Sequence, residues 1–184
     1  MPIKNDRHIK LGISSCLLGN NVRYDGGHKL DHYLRDTLGR SVEWMLVCPE
    51  VEAGLTMPRE AMQLVLSPGT PRLVTIETGI DHTELMRLWV QKKLVGLEQQ
   101  KLSGFVFKAR SPCCGVRDAQ LFSLSGGTAG QGAGLFAAAV VQRFPDLPVQ
   151  DEDRLRDPAI RENFLERVSA YWRQLHCYSG KLTV

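Results

Sequence analysis

Short apolar runs alternate along the chain with longer segments in which apolar residues recur every three or four positions. The runs at 9–15, 42–47 and 104–108 predict buried strands, and the run at 147–149 is typical of a short edge strand. Two further runs flank the turn-forming sequence Ser-Pro-Gly-Thr-Pro and predict a hairpin, with strands at 63–66 and 72–77.

Four segments have the apolar spacing of helices: 30–38, 81–102, 135–144 and 158–175. The first stops at Gly39, a residue type that commonly ends helices. In the second, four residues are expected to face inward: Leu85, Leu88, Trp89 and Val95. The last segment has the clearest signals, because Asp157 can cap its first turn and Pro158 suits the first helical position.

Strands in alternation with helices predict an α/β fold, here a Rossmann-like parallel sheet flanked by helices on both faces. In such sheets ligands bind outside the carboxyl ends of the strands. Three of the predicted strands end within a few residues in a cysteine, at Cys16, at Cys48 and at the adjacent pair Cys113 and Cys114. We therefore expect thiols from three separate loops to meet at one edge of the sheet.

The size and composition are those of one globular domain. The chain has 184 residues, of which 43% are hydrophobic and 23% charged, so it can bury a core without disulfides. We expect a single domain at 1–176 and a C-terminal tail at 177–184. Basic residues are scattered among acidic ones and give a net charge of only +3, so no strong nucleic-acid binding is expected.

The sequence has no pattern typical of membrane insertion or export. The longest apolar run, 135–141, is far shorter than the roughly 20 residues that a transmembrane helix needs. Residues 1–10 are polar and lack the apolar centre of a signal peptide. We therefore expect a cytoplasmic protein whose five cysteines are free thiols, metal ligands or catalytic groups.

Three converging thiols indicate a metal centre, although a buried free cysteine is often only a small hydrophobic residue. Thiolates are soft ligands that favour zinc, copper(I) or an iron–sulfur cluster. The sequence lacks the Cys-x-x-Cys spacing of zinc ribbons and fingers. With three protein ligands, one metal position would stay open to substrate, as in a catalytic centre. The spacing alone does not choose among the metals.

An ordered set of motifs resembles the thiouracil desulfidases in their short, single-domain form. The motifs are CLLG at 16–19, VRYDGG at 22–27, CPEVEAGL at 48–55, PRE at 58–60, KARSPCCG at 108–115, LRDP at 155–158 and RENF at 161–164. The resemblance extends from about residue 9 to residue 175, which is nearly the whole chain.

The resemblance implies a [4Fe-4S] cluster held by Cys16, Cys48 and Cys114, with the fourth iron open to substrate. It also implies a reaction without net redox change, in which the sulfur of a thiolated uracil base, nucleoside or nucleotide is exchanged for oxygen and released as sulfide. Glu50 and Ser111 match the family's acid–base carboxylate and its serine. Cys113 departs from the family pattern, which usually has a serine at this position.

The chemistry of these side chains agrees with the implied roles. Glu50 lies two residues after Cys48, within reach of the same pocket, and a carboxylate there can move protons between water and a base. Read without the resemblance, the sequence favours a surface or helix-start carboxylate at Glu50 over a catalytic one. Ser111 precedes Pro112 and can cap a helical turn, a role that does not prevent it from contacting substrate.

Four further residues are candidates for contact with a small thiolated pyrimidine: Arg23, Tyr24, Asp25 and His28. The Tyr-Asp-Gly-Gly sequence that contains two of them is also typical of a turn. The glycine-rich segment 126–134 opens a predicted helix, so it could bind a phosphate or act as a lid over substrate. It lacks the Gly-Lys-Ser/Thr sequence of a P-loop.

Three other functions stay open at this point. The first is a cluster-dependent enzyme that works in the opposite direction and inserts sulfur into a base. The second is a zinc-dependent or structural metal protein. The third is a nucleotide-binding module that uses the glycine-rich segment and has structural cysteines.

Overall fold

The structure, a computed structural model, describes residues 9–67 and 70–177. Its strands are β1 (Lys10–Ser14), β2 (Glu43–Val47), β3 (Met62–Ser67), β4 (Thr70–Thr75), β5 (Gly104–Phe107), β6 (Ala119–Ser123), β7 (Thr128–Gly132) and β8 (Val149–Asp151). Its helices are α1 (Pro49–Glu52), α2 (Thr83–Gln99), α3 (Leu135–Arg143) and α4 (Pro158–Cys177). The strands predicted at 9–15, 42–47, 104–108 and 147–149 are all present with small shifts of their ends.

The first sheet is entirely parallel and has the strand order β2-β1-β5-β8. This arrangement confirms the predicted α/β fold. The central strand β1 pairs with β2 through Ser14 and Val47, and with β5 through Ile13 and Val106. The carboxyl ends of these three strands therefore lie side by side.

A second, mixed sheet has the strand order β4-β3-β6-β7, and the sequence pattern does not predict it as a separate layer. Its antiparallel strands β3 and β4 confirm the predicted hairpin. The prediction of a glycine-rich loop is wrong for Thr128–Gly132, which forms β7 antiparallel to β6. Glycine is uncommon in strands, so the sequence of β7 does not indicate a strand. The strand forms through backbone pairing with β6 at the edge of the sheet.

Successive residues of the central strands are buried on opposite faces of the parallel sheet. In β5, Phe105 and Phe107 pack in one core cluster with residues of α2 and α3. Val106 packs in a second cluster with Phe164 and Val168 of α4. Both faces of the sheet are therefore covered, as a parallel sheet requires.

Helix α2 lies inside the predicted segment 81–102 but buries a different face. Three residues expected inside are exposed: Leu85 (40%), Leu88 (57%) and Val95 (61%). The buried apolar residues are Met86, Val90 and Leu97, and from the expected set only Trp89 packs against the core. Apolar residues occur all around this helix, so its periodicity does not single out the buried face.

The N-terminus of α4 is capped as predicted, because Asp157 Oδ1 accepts hydrogen bonds from the backbone N–H groups of Ala159 (2.8 Å) and Ile160 (3.3 Å). Cys177, expected in a tail beyond the helix, is instead the last residue of α4. Residues 178–184 lie outside the described part of the chain, so the division at residue 177 stays a prediction. Within the described residues, no helix is both long and apolar enough to cross a bilayer.

The segment at 30–38 does not form the regular helix that its spacing predicts. It contains a π-helical turn at Tyr33–Thr37, followed by a 3-10 turn at Leu38–Arg40. Leu34 and Leu38 are still buried beneath the sheet, in the same core cluster as α4. The apolar spacing therefore predicts the buried positions here better than it predicts the backbone conformation.

Gly12 allows the close contact between β1 and β5, and its replacement tests the packing of the sheet. A Cβ atom at this position would lie 2.2 Å from the Phe105 ring. We expect Gly12→Ala to lower the free energy of unfolding by about 3 kcal/mol, measured by urea denaturation. The matched control is Gly96→Ala on α2, where a Cβ meets no atom within 4 Å. This variant should gain roughly 1 kcal/mol, and equal stability of the two variants would contradict the described packing.

Candidate active site

A cavity of about 460 Å³ opens at the carboxyl ends of β1, β2 and β5. Three thiols from three separate loops line it, those of Cys16, Cys48 and Cys114. Met62 and Ile76, at the ends of the β3–β4 hairpin, also line the cavity. The structure thus brings together the thiols that the sequence places after three different strands.

Cys16 lies in a 3-10 turn that follows β1 directly. Its carbonyl oxygen accepts hydrogen bonds from the backbone N–H groups of Gly19 (3.3 Å) and Lys29 (2.9 Å). Gly19 has a φ of 93°, a left-handed conformation that glycine adopts without strain. These bonds fix the turn, so Cys16 is held on the floor of the cavity with only 8% of its surface exposed.

Cys48 lies between β2 and the single-turn helix α1, where it is the N-cap residue. Its backbone N–H donates to Glu52 Oε1 (3.1 Å), and Glu52 Oε2 accepts a bond from Lys93 Nζ of α2 (2.7 Å). Helix α2 therefore helps to fix the loop that carries this thiol. Pro49 occupies the first position of α1, where the missing N–H group costs no hydrogen bond.

Cys114 is held by a turn that Ser111 caps, which confirms the capping interpretation of this serine. Ser111 Oγ accepts hydrogen bonds from the backbone N–H groups of Cys113 (3.2 Å) and Cys114 (3.0 Å). The same side chain lines the cavity. Since its oxygen accepts both of these bonds, the hydroxyl proton is available for donation to a third group.

The N-terminus of α3 binds this cysteine loop rather than a phosphate. The backbone N–H of Leu135 donates to the Pro112 carbonyl (3.1 Å), and that of Phe136 donates to the Cys113 carbonyl (3.0 Å). The backbone N–H of Gly134, which precedes the helix, donates a hydrogen bond to the Gly115 carbonyl (2.8 Å). The prediction that the glycine-rich segment binds a phosphate is therefore wrong, because these donors are already used and most of the segment forms β7. The alternative that it acts as a lid stays a prediction.

Cys113 and Cys114 are adjacent but have different surroundings. Cys114 lines the cavity, whereas Cys113 is fully buried in the core formed with α2 and α3. Burial raises the pKa of the Cys113 thiol well above its ordinary value, and the nearby Glu50 carboxylate adds to the rise. This geometry favours Cys114 over Cys113 as a ligand for any group in the cavity.

Burial keeps the cavity thiols protonated when no metal is bound. It raises the pKa of Cys16 to about 11, although the charges of Lys108 and Arg23 oppose the rise. It raises the pKa of Cys48 to about 12, and the nearby Glu50 carboxylate adds to the effect. The pKa of Cys114 is raised well above its ordinary value, again mainly by burial. A metal centre would therefore have to displace protons as it binds.

Glu50 lies in the first turn of α1 and is 9% exposed, so it is a helix-start residue that also faces the cavity. Its Oε2 atom accepts a bond from the Cys48 thiol (3.5 Å). The Nη2 atom of Arg59 lies 3.9 Å from the same oxygen. The carboxylate is therefore next to the thiols, in a position to exchange protons with a molecule in the cavity.

The four substrate-contact candidates divide into two pairs. Arg23 and Tyr24 line the cavity, and their contact with substrate stays a prediction. Asp25 and His28 are absent from its lining. Asp25 lies in the turn that the sequence also suggested, and His28 follows that turn directly. Asp25 Oδ1 accepts a hydrogen bond from the Gly27 N–H (3.0 Å), and His28 Nδ1 accepts one from the Leu30 N–H (3.2 Å).

Sequence reasoning assigned no role to four basic residues that line the cavity: Lys29, Arg59, Lys108 and Arg110. Lys108 pairs with the buried Glu152, whose other oxygen accepts a bond from the Ala109 N–H (2.7 Å). Arg110 pairs with Asp153 (2.6 Å). The motifs PRE and KARSPCCG contain three of these residues, but a motif alone does not show which side chains face a cavity.

The donor set fits an iron–sulfur cluster. Three soft thiols face one cavity, and a carboxylate and a hydroxyl lie beside them. Within 9–67 and 70–177, no three His, Cys, Asp or Glu side chains are grouped to hold one metal ion. A [4Fe-4S] cluster does not need such a group, because each cysteine thiolate binds a different iron.

Comparisons with known proteins agree with this geometry. The sequence profile of the 2-thiouracil desulfurase family matches residues 11–152. An uncharacterized protein of Bacillus subtilis (strain 168), YbbK, is 31% identical over 109 residues, which are 56% of this chain and 71% of that protein. A solved structure of a [4Fe-4S]-dependent thiouracil desulfidase, TudS, superimposes with a TM-score of 0.64 and 29% identity, over 84% of this chain and 98% of that chain.

Gly134 tests how firmly α3 holds the cysteine loop. A Cβ atom there would lie 2.5 Å from the Cys113 carbonyl carbon and 2.8 Å from the Cys114 nitrogen. We expect Gly134→Ala to lower the free energy of unfolding by about 2 kcal/mol and to expose Cys113 to thiol-labelling reagents. Gly127→Ala is the control, since its Cβ would lie 3.7 Å from Ser123 Oγ. Unchanged stability and continued protection of Cys113 in Gly134→Ala would argue against the described contact.

Proposed function

The chain belongs to the 2-thiouracil desulfurase family, and on that premise we propose that its cavity exchanges the sulfur of a thiolated uracil for oxygen with the help of a [4Fe-4S] cluster. The observation that carries the proposal is the convergence of three thiols on one cavity that also contains a carboxylate. The structural similarity to a [4Fe-4S]-dependent thiouracil desulfidase supports the same cofactor and reaction.

The ligands in this proposal are Cys16, Cys48 and Cys114. Each is provided by a loop whose backbone is fixed by hydrogen bonds, so the three thiols are held in place before the cofactor binds. When bound through three cysteines, the cluster supplies one open iron, a soft Lewis acid that can hold the sulfur of the substrate. Cys113 is not a ligand, because its side chain is buried outside the cavity lining.

Glu50 and Ser111 manage protons and orientation during the exchange. Conversion of C=S to C=O consumes one water, whose oxygen becomes the carbonyl oxygen of the base while its two protons leave with the sulfur as hydrogen sulfide. The Glu50 carboxylate accepts a proton from the attacking water and returns it to the departing sulfur. The Ser111 hydroxyl donates a hydrogen bond to the substrate, since its oxygen already accepts two backbone N–H groups.

The substrate is a small thiolated pyrimidine. The cavity has a volume in the ordinary range for small-molecule sites. Tyr24 lies in its lining and is 43% exposed, so its ring can contact the flat base. Arg23 lies against that ring, with its guanidinium carbon 5.2 Å from the ring centroid. Free thiols and a protein-bound cluster persist in a reducing compartment, so the proposal includes a cytoplasmic location.

The first test is the iron, sulfide and zinc content after anaerobic purification and cluster reconstitution. We expect the wild-type chain to bind about four irons. The variants Cys16→Ser, Cys48→Ser and Cys114→Ser should bind much less, because a serine hydroxyl is a poor ligand for iron. Cys113→Ser is the matched control and should keep the wild-type content.

Zinc in place of iron, or full iron content in all four cysteine variants, would refute the proposed ligand set. Incubation of the loaded protein with sulfide and uracil distinguishes the opposite reaction. Only a sulfur-inserting enzyme would accumulate a thiolated base from these reagents. A nucleotide-binding module would bind nucleotide equally well in Cys16→Ser and in the wild-type chain.

The second test is the release of sulfide from 2-thiouracil, 4-thiouracil and their nucleosides. We expect Glu50→Gln to lower kcat by roughly 100-fold or more, because general acid–base groups typically contribute 10²–10⁴-fold. Ser111→Ala should lower it by roughly 100-fold, the usual loss for one oriented donor. Arg173→Ala on the exposed face of α4 is the control and should retain wild-type kcat. Wild-type rates in both site variants would contradict the proposed roles.

A further inference from the structure

We infer that Arg59 is a positioning residue that holds the Glu50 carboxylate in place in the cavity wall, an inference that rests on the proposed function for the role of Glu50. Arg59 belongs to the motif PRE at 58–60. The supporting observations are the burial of its side chain, the choice of its partner and the way in which its backbone is anchored.

The Arg59 side chain is 10% exposed, and that of Glu50 is 11% exposed. A buried guanidinium is costly unless a carboxylate and hydrogen-bond acceptors surround it. Arg59 Nη2 donates to the Val22 carbonyl (3.1 Å) and lies 3.9 Å from Glu50 Oε2. One planar group therefore connects α1, which carries Glu50, to the loop that carries Val22 and Tyr24.

The partner of Arg59 distinguishes it from the other basic residues of the cavity. Three of these residues pair with carboxylates that are not part of the cavity lining: Arg23 with Asp25, Lys108 with Glu152 and Arg110 with Asp153. Among the described residues that line the cavity, Glu50 is the only carboxylate. Arg59 is therefore the basic residue of the lining that acts on it directly.

Cys48 cannot fill this role in the loaded enzyme. In the structure its thiol donates to Glu50 Oε2 (3.5 Å) and contacts the Val22 carbonyl (3.7 Å), the same two acceptors that Arg59 approaches. A cysteine that ligates a metal does so as the thiolate and has no proton to donate. Arg59 is always protonated, so it keeps its hydrogen bond to the Val22 carbonyl and its positive charge beside Glu50.

The backbone of Arg59 is anchored on both sides. Its N–H donates to the Tyr24 carbonyl (2.9 Å). The next residue, Glu60, faces away from the cavity and accepts bonds from the backbone N–H (2.8 Å) and the hydroxyl (2.7 Å) of Thr78. Within the motif PRE, the Arg59 side chain therefore lies near Glu50, and the Glu60 side chain fixes the position of residues 58–60.

The test compares Arg59→Met and Arg59→Lys with the wild-type chain, all loaded with cluster. We expect Arg59→Met to keep its iron content and to lower kcat by roughly 10–100-fold with KM changed less than about threefold, because the chemistry and not the binding is affected. Arg59→Lys keeps the charge but loses the planar fork, so it should recover part of the rate. Arg143→Met is the control, since Arg143 forms an exposed ion pair with Glu98 (2.7 Å) far from these residues in the sequence.

A double-mutant cycle shows whether Arg59 acts through Glu50. If it does, the double variant Glu50→Gln/Arg59→Met will be no slower than Glu50→Gln alone. The inference would be overturned if the losses in kcat of the two single variants multiplied in the double variant. It would also be overturned if Arg59→Met changed only KM, or if its rate per bound iron equalled that of the wild-type chain. Normal kcat in Arg59→Met beside a strongly reduced kcat in Glu50→Gln would overturn it and leave the proposed function intact.

The same cycle on the iron-free chain provides a readout that does not need activity. We expect the fall in Tm of the double variant to be smaller than the sum of the two single falls, because either substitution already breaks the contact. Additive falls would overturn the inference. If the wild-type protein releases no sulfide from any thiolated base, the proposed function fails, and the Tm cycle still decides whether Arg59 and Glu50 are coupled.

Discussion

Parallel pairing of β1 with β2 and with β5 is the constraint on which the site depends. The register places Ser14 opposite Val47 and Ile13 opposite Val106, so the three strands end at nearly the same level. Cys16 and Cys48 follow the Ser14–Val47 pair by two residues and one residue. Thiols that are far apart in the sequence thus come together because of backbone hydrogen bonds, which depend little on side-chain identity.

Beyond the sheet edge, hydrogen bonds to backbone groups hold the three cysteine loops. The N–H groups at the start of α3 bond the carbonyls of Pro112 and Cys113, and Glu52 accepts the N–H of Cys48. This design leaves the cavity side of each loop free for thiols and small polar groups. It also explains the use of glycine at position 134, where a side chain would collide with the loop.

The sequence predicts the strands, the parallel sheet and the grouping of the cysteines, because strand ends and cysteine positions are both local features. It does not predict which face of α2 is buried, since apolar residues such as Leu88 and Met86 occur on both sides of that helix. Nor does it predict β7, whose pairing involves backbone atoms of small residues. Arg59 shows the same limit at the site, because its contacts with Val22 and Glu50 join segments that are distant in the sequence. Asp25 and His28 bond only backbone groups two residues away, and the sequence does not show that both lie outside the cavity lining.

The cavity wall is divided between two sheets, and under the proposed function this division keeps the hairpin part of the wall apart from the reacting groups. The thiols and Glu50 belong to loops of the parallel sheet, whereas Met62 and Ile76 belong to the hairpin of the mixed sheet. Substitutions in the hairpin can reshape the space around a ring substituent while the parallel-sheet loops keep their geometry. Under the proposed function, the hairpin is therefore the part of the wall where the shape of the site can change without moving the cysteine loops.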